Sequence, residues 1–175
     1  MIEVVSMVEL GAWQLLVDIP ATRRLAAVGA GSAERCGCAS CGNYVAARPR
    51  FAGSGVPHLF ASLGIDWQKE AHVAHGTCLR DDQIPYAGFF RLVGEIRRGG
   101  DLFVRQTVMG FETCVPRQEA FVRLPPTDFR FGFSATTGVE QAGEVALHFR
   151  VTLPWLVEGI GFAACVQSHA PGLAV

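Results

Sequence analysis

The chain has 175 residues, half of them apolar and 18% charged, with 15 Lys and Arg against 16 Asp and Glu for a net charge of −1. A chain of this length buries about 70% of its unfolded surface, so its core needs neither disulfides nor a metal to fold. That composition excludes disordered, collagen-like and low-complexity classes, and the balanced charge argues against a dedicated binder of nucleic acid or of an anionic membrane.

Met1 to Leu10 carries Glu3 and Glu9 and no basic residue, so it lacks the basic start of a secretory leader. The longest apolar stretch, Leu153 to Val166, is interrupted by Pro154, Glu158, Gly159 and Gly161 and does not read as a membrane span. Six cysteines without a leader are expected as reduced thiols or metal ligands rather than as a disulfide framework. The basic set is fourteen Arg and one Lys, a usage common in GC-rich bacteria. The expectation is one soluble, cytoplasmic domain of bacterial type spanning residues 1–175, with no internal repeat or linker.

Alternation of apolar and polar residues favours strands almost throughout. Trp13 to Ile19 and Arg24 to Gly29 flank Pro20-Ala21-Thr22 and are expected to form a first hairpin. Cys41 to just before Pro49 suits a short helix. A second runs from Gly55 to Leu63, capped by Ser54, with Pro57 in its first turn and Gly64 just past its end. Tyr86 to Arg98 and Asp101 to Met109 are expected to pair as a hairpin across Gly99-Gly100, whose glycines accept the positive φ of a primed turn. Further on, Phe129, Phe131 and Phe133 share one face of a strand. Val145, Leu147, Phe149, Val151 and Leu153 share a face of another, with turn chemistry between Thr136 and Gly143. No strand–helix–strand rhythm appears. The fold class is therefore α+β: a mainly antiparallel sheet, twisted or curled into a flattened barrel, with one or two short helices.

The chemistry concentrates in Arg35 to Tyr44, R-C-G-C-A-S-C-G-N-Y, where Cys36, Cys38 and Cys41 fall within six residues. Soft thiolates suit zinc, and C-x-x-C brings residues i and i+3 around one tetrahedral ion. A fourth ligand must come from elsewhere. Cys78 is the first choice, with His75, His72 and His58 as alternatives. No Glu or Asp nearby stands as a general base, so a metal here is expected to be structural. Asn43 and Tyr44 would then support the site, Asn43 through nearby backbone groups and Tyr44 by covering it. Two other readings stay open. A helix starting near Cys38 would lower its thiol pKa, with help from Arg35, making Cys38 and Cys41 a redox pair with Cys36 as resolving thiol. Alternatively, the three cysteines are buried filler, as Cys114 and Cys165 are expected to be.

Other groupings are weaker. Gly29-Ala30-Gly31-Ser32 and Gly53-Ser54-Gly55 lack the lysine of a phosphate loop, and Asp81-Asp82 reads as a solvated loop. His148 and Arg150, with Arg130, lie on a polar sheet face, either open to solvent or lining a ligand cleft. Trp67 and Trp155 read as core or interface residues. Gly159 to Val166 reads as a buried strand or a contact in a homo-oligomer.

The order of Cys38, Cys41, Asn43 and Tyr44, then Leu63-Gly64-Ile65-Asp66, then Gly88-Phe89-Phe90 and Val93-Gly94 resembles a family of uncharacterised bacterial proteins. In that family a C-x-x-C-x-N-[YF] segment precedes a helix ending L-G-I-D and a Gly-aromatic strand. The resemblance covers about a third of the chain and implies a shared fold without an activity. The expected function is a non-enzymatic domain that binds a protein or small-molecule partner and holds a structural zinc. A thiol redox enzyme or sensor and a metal-dependent enzyme are the alternatives.

Overall fold

The computed structural model describes residues 5–27, 29–77, 82–138 and 141–157. Its main sheet is open and antiparallel, in the order β1-β2-β4-β9-β8-β7, with β3 also on β4. The organising element is β4 (Gln83–Arg98). Its first part pairs with β9 (Glu144–Pro154) along one edge, and with β3 (His72–His75) along the other. Its second part pairs with β2 (Trp13–Asp18), which in turn pairs with β1 (Val5–Leu10) across a tight turn at Gly11-Ala12. β8 (Arg130–Ser134) lies on β9, and the short β7 (Val122–Arg123) ends the sheet.

Ile84, Tyr86, Phe90 and Leu92 of β4 are buried on the same face as Phe131 and Phe133 of β8 and Val145, Leu147, Phe149, Val151 and Leu153 of β9. That is the alternation read in the sequence. Onto this inner face pack α3 (Ala39–Ala47), a following 3-10 turn (Arg48–Gly53) and α4 (Val56–Leu63). Phe60 meets Phe90 at 4.8 Å between ring centroids, and Phe129 stacks on Phe149 at 5.8 Å. The C-terminal end of α4 is as expected, with Gly64 left-handed at φ 71°. The helix starts at Val56 with Gly55 in the cap position, one residue later than expected, and Ser54 Oγ accepts from Val56 N–H at 3.2 Å from just outside it. α3 starts two residues earlier than expected, because Cys38 itself serves as its N-cap.

Two expected hairpins are absent. Ile19–Ala26 forms α1 instead of a turn and a strand. Asp18 Oδ1 caps it by accepting from Ala21 N–H at 2.7 Å, and Pro20 fits a first helical turn as well as it fits a loop. The second pair fails at Gly99-Gly100. Both glycines have positive φ, 106° and 68°, yet they carry the chain out of the sheet instead of back along β4. Leu102 is fully buried and donates its N–H to Phe133 O at 2.7 Å, while its carbonyl accepts from Arg117 N–H at 2.9 Å. The segment beyond it pairs only locally, as β5 (Phe103–Val108) with β6 (Phe111–Pro116). Burial of Leu102 thus outweighs continuation of the hairpin. Among the described residues there are four short helices where one or two were expected, the fourth being α2 (Ser32–Arg35). Among the described residues no helix is long and apolar enough to cross a membrane.

Candidate metal centre

α2 and α3 are separated by only Cys36, Gly37 and Cys38. Cys36 leaves α2 in an extended conformation, and Cys38 enters α3 as its N-cap, its Sγ accepting from Cys41 N–H at 3.4 Å. This local geometry folds the C-x-C-x-x-C segment back on itself. The Sγ atoms of Cys36 and Cys38 are 3.3 Å apart, and all three Sγ atoms lie within 4.8 Å of one another. In a tetrahedral zinc thiolate site, Zn–S bonds of about 2.3 Å place sulfurs roughly 3.8 Å apart. The three cysteines therefore form three corners of a metal site with only small side-chain adjustment, and they can bind a metal ion.

Their electrostatics differ. Cys36 and Cys38 are exposed and Cys41 is buried. The Cys38 N–H, and then the Cys38 and Cys41 thiols, stabilise the Cys36 thiolate and hold its pKa below the usual thiol value. Burial, and after it the neighbouring sulfurs, pushes the Cys41 thiol up. Without a cation at the cluster Cys41 keeps its proton. Arg35 plays no part, since its guanidinium turns back to the carbonyl of Ala30.

Buried polar groups clamp both sides of the cysteine loop. Glu70 is 1% exposed and Arg48 4%, and they pair at 3.3 Å, with the second Arg48 amino group on Glu34. Glu70 Oε1 accepts from Ala33 N–H at 2.9 Å, and Glu70 O accepts from Ser32 N–H at 2.9 Å, fixing α2 just before Cys36. Burial raises the Glu70 pKa against the pull of those partners. Gly31 makes the approach possible, because a Cβ there would stand 2.5 Å from Gln68 O and 2.6 Å from Glu70 Oε1. On the other side, Asn43 bonds partners far along the chain instead of the neighbouring backbone: Nδ2 donates to Tyr86 Oη at 3.0 Å and to Pro154 O at 3.1 Å. Tyr44 does not cover the cluster. It lies in the core against Tyr86 and Phe149, its hydroxyl without a hydrogen-bond partner among the described residues.

Cys78, the expected fourth ligand, lies outside the described residues, as do Asp81, Cys165 and the segment Gly159 to Val166. No other described His, Cys, Asp or Glu joins the three cysteines, so His58, His72 and His75 are not brought to them. His72 instead packs on Phe89, at 5.9 Å between centroids. Cys114, expected in the core, is exposed on β6 because the β5–β6 hairpin stands off the sheet. The Glu70–Arg48 clamp carried no spacing signal and was not legible in the sequence. Comparison with models of protein families, with curated proteins and with solved structures finds no significant match for this chain.

Proposed function

We propose that the chain is a non-enzymatic, cytoplasmic binding domain of the kind suggested by its bacterial resemblance, in which Cys36, Cys38 and Cys41 hold one structural zinc ion. The observation that carries this reading is the convergence of three Sγ atoms within 4.8 Å, on a loop gripped from both sides by buried polar groups. Cys78 is the first candidate for the fourth ligand. The ion would tie α2 to α3 across the Cys36-Gly37-Cys38 link. A reducing compartment keeps such thiols available.

One observation favours a second reading. Cys38 is exposed at the N-terminus of the nine-residue α3 with Cys41 buried behind it, a disposition that suits a redox pair in which Cys38 attacks. Elemental analysis of the purified chain, with native thiol titration, separates the two. The zinc reading expects about one zinc per chain and cysteines protected until a chelator is added. Metal-free protein with fast thiols and a reversible Cys38–Cys41 disulfide would replace zinc by the redox pair. Metal-free protein with slow thiols would overturn both.

A further inference from the structure

The sheet face opposite the helices carries a second candidate site. Pairing across β3, β4, β9 and β8 sets two adjacent rows of side chains on it. One row is His72, Phe89, His148 and Gly132, and the other is Ala74, Ala87, Arg150 and Arg130. The methyl groups of Ala74 and Ala87 leave a hollow beside the aromatic row. The β5–β6 hairpin and Phe121 close over it, with Phe103 set edge-on to His148 at 4.7 Å and the Arg150 guanidinium 4.7 Å over the Phe121 ring. The result is a cleft of about 390 Å³, and a neighbouring one of about 400 Å³ shares Ala74, Ala87 and Arg150 with it. Volumes of this size suit a small organic ligand, for which the usual range is about 300–1,000 Å³.

The roof is held in place. Asp101 Oδ1 accepts from Phe103 N–H at 2.9 Å, while Oδ2 accepts from Ala135 N–H at 2.8 Å and Ser134 Oγ at 3.1 Å. Arg117 Nη2 donates to Asp101 O at 2.6 Å and to Gly99 O at 3.1 Å, locking the base of the hairpin. His148 Nε2 donates to Thr137 O at 2.8 Å, which fixes the ring as a flat wall.

Charge decides what the cleft would take. Arg130 and Arg150 are direct cross-strand partners, a like-charge pairing that costs stability where nothing lies between. Neither makes an ion pair with a described carboxylate. Among the described residues, Arg150 is held by the side-chain oxygen of Gln118 at 2.8 Å and by the Phe121 ring. Burial, and then the charge of Arg130, makes Arg150 a weaker base than usual. Asp128 also lines the neighbouring cleft, but its Oδ2 accepts from Thr152 N–H at 3.0 Å and it forms no ion pair with either arginine. The two guanidinium groups beside an apolar, aromatic hollow therefore form a fork for a planar or tetrahedral anion.

We propose that this cleft binds a small organic anion, a carboxylate or phosphate on a flat apolar body, with the headgroup on Arg130 and Arg150 and the body between Ala74, Ala87, Phe89 and Phe103. This site is independent of the cysteine cluster. The test is calorimetric titration of the full chain with 2-naphthoate, 2-naphthyl phosphate, neutral 2-naphthalenemethanol and inorganic phosphate. At least one naphthyl anion should bind saturably at one site, the two anions together telling which headgroup is preferred. The neutral alcohol and bare phosphate should each bind at least about tenfold more weakly, the scale of losing one charge-assisted interaction. R130Q, which changes an exposed side chain, and R150Q should each weaken the anion at least about tenfold, and the thermal midpoint of R130Q should not fall, since that change also relieves the like-charge pairing. C36S should leave binding unaltered. Equal binding of alcohol and anion, equal binding of bare phosphate, indifference to both substitutions, or no saturation up to about 1 mM would each overturn the proposal.

Discussion

Asn43 Oδ1 accepts a hydrogen bond from Leu156 N–H at 2.6 Å, joining the helix that carries Cys41 to the chain 113 residues later, just past the end of β9. Asn43 is fully buried, and its amide also donates to Tyr86 Oη and Pro154 O. Its replacement leaves several buried polar groups unpaired at once. Asn43→Ala is therefore expected to cost about 2–4 kcal/mol with an unchanged denaturant slope, against about 1 kcal/mol for Tyr86→Phe. Urea unfolding of the two variants checks this, and equal small losses would show that the bridge contributes little.

Gly31 and Glu70 act as one unit, because the space a Cβ at Gly31 would need is occupied by the Glu70 carboxylate. Glu70→Gln breaks a buried pair with Arg48 and is expected to cost about 3 kcal/mol. Gly31→Ala is expected to cost about 1–3 kcal/mol by overpacking. Since a Cβ at Gly31 would push the carboxylate off Ala33 N–H and Arg48, the same interactions that Glu70→Gln weakens, the double variant should lose clearly less than the sum. Additive losses would mean that the two residues stabilise separate parts of the chain.

His148 gives the fold a pH dependence of known sign. Burial holds its pKa below the ordinary value of 6.5, although the Thr137 carbonyl and Asp101 pull the other way. The stability it contributes is present above its unfolded value and is lost as pH falls through the lower folded one, because the native ring must then be charged in a dry place. Unfolding free energies at about pH 7.5 and about pH 5 should fall more steeply in the wild type than in His148→Gln. Parallel profiles would show that the ring titrates unhindered.

Thiol reactivity in metal-free protein follows the burial pattern. Cys36, exposed and with its thiolate stabilised by Cys38, should alkylate fastest within the cluster and retain reactivity at lower pH. Cys41, buried and with a raised pKa, should alkylate last. Mass spectrometry of protein pulsed with iodoacetamide reads the order directly, and early modification of Cys41 would contradict it.

The parts of this molecule that were legible from sequence are those with a local cause. The alternation in Val145 to Leu153, the phenylalanines at 129, 131 and 133, and the helix stop at Gly64 carry their own periodicity or capping chemistry. The cysteine cluster was legible because its three thiols are close together in the chain. What escaped were competitions decided at a distance. Gly99-Gly100 takes the expected backbone form, but burial of Leu102 under β8 determines where the chain goes next. Pro20 begins a helix because Asp18 is free to cap it. Glu70 reaches Ala33 across 37 residues, a relation no spacing rule encodes. The facing arginines at 130 and 150 depend on the register of β8 against β9.

The central claim is that Cys36, Cys38 and Cys41 hold one metal ion together. X-ray absorption at the zinc edge of the zinc-loaded chain tests it most directly. The account predicts at least three sulfur neighbours at about 2.3 Å, with one lost in each of Cys36→Ser, Cys38→Ser and Cys41→Ser. A zinc shell of nitrogen and oxygen alone, or a sulfur count unmoved by those substitutions, would contradict it.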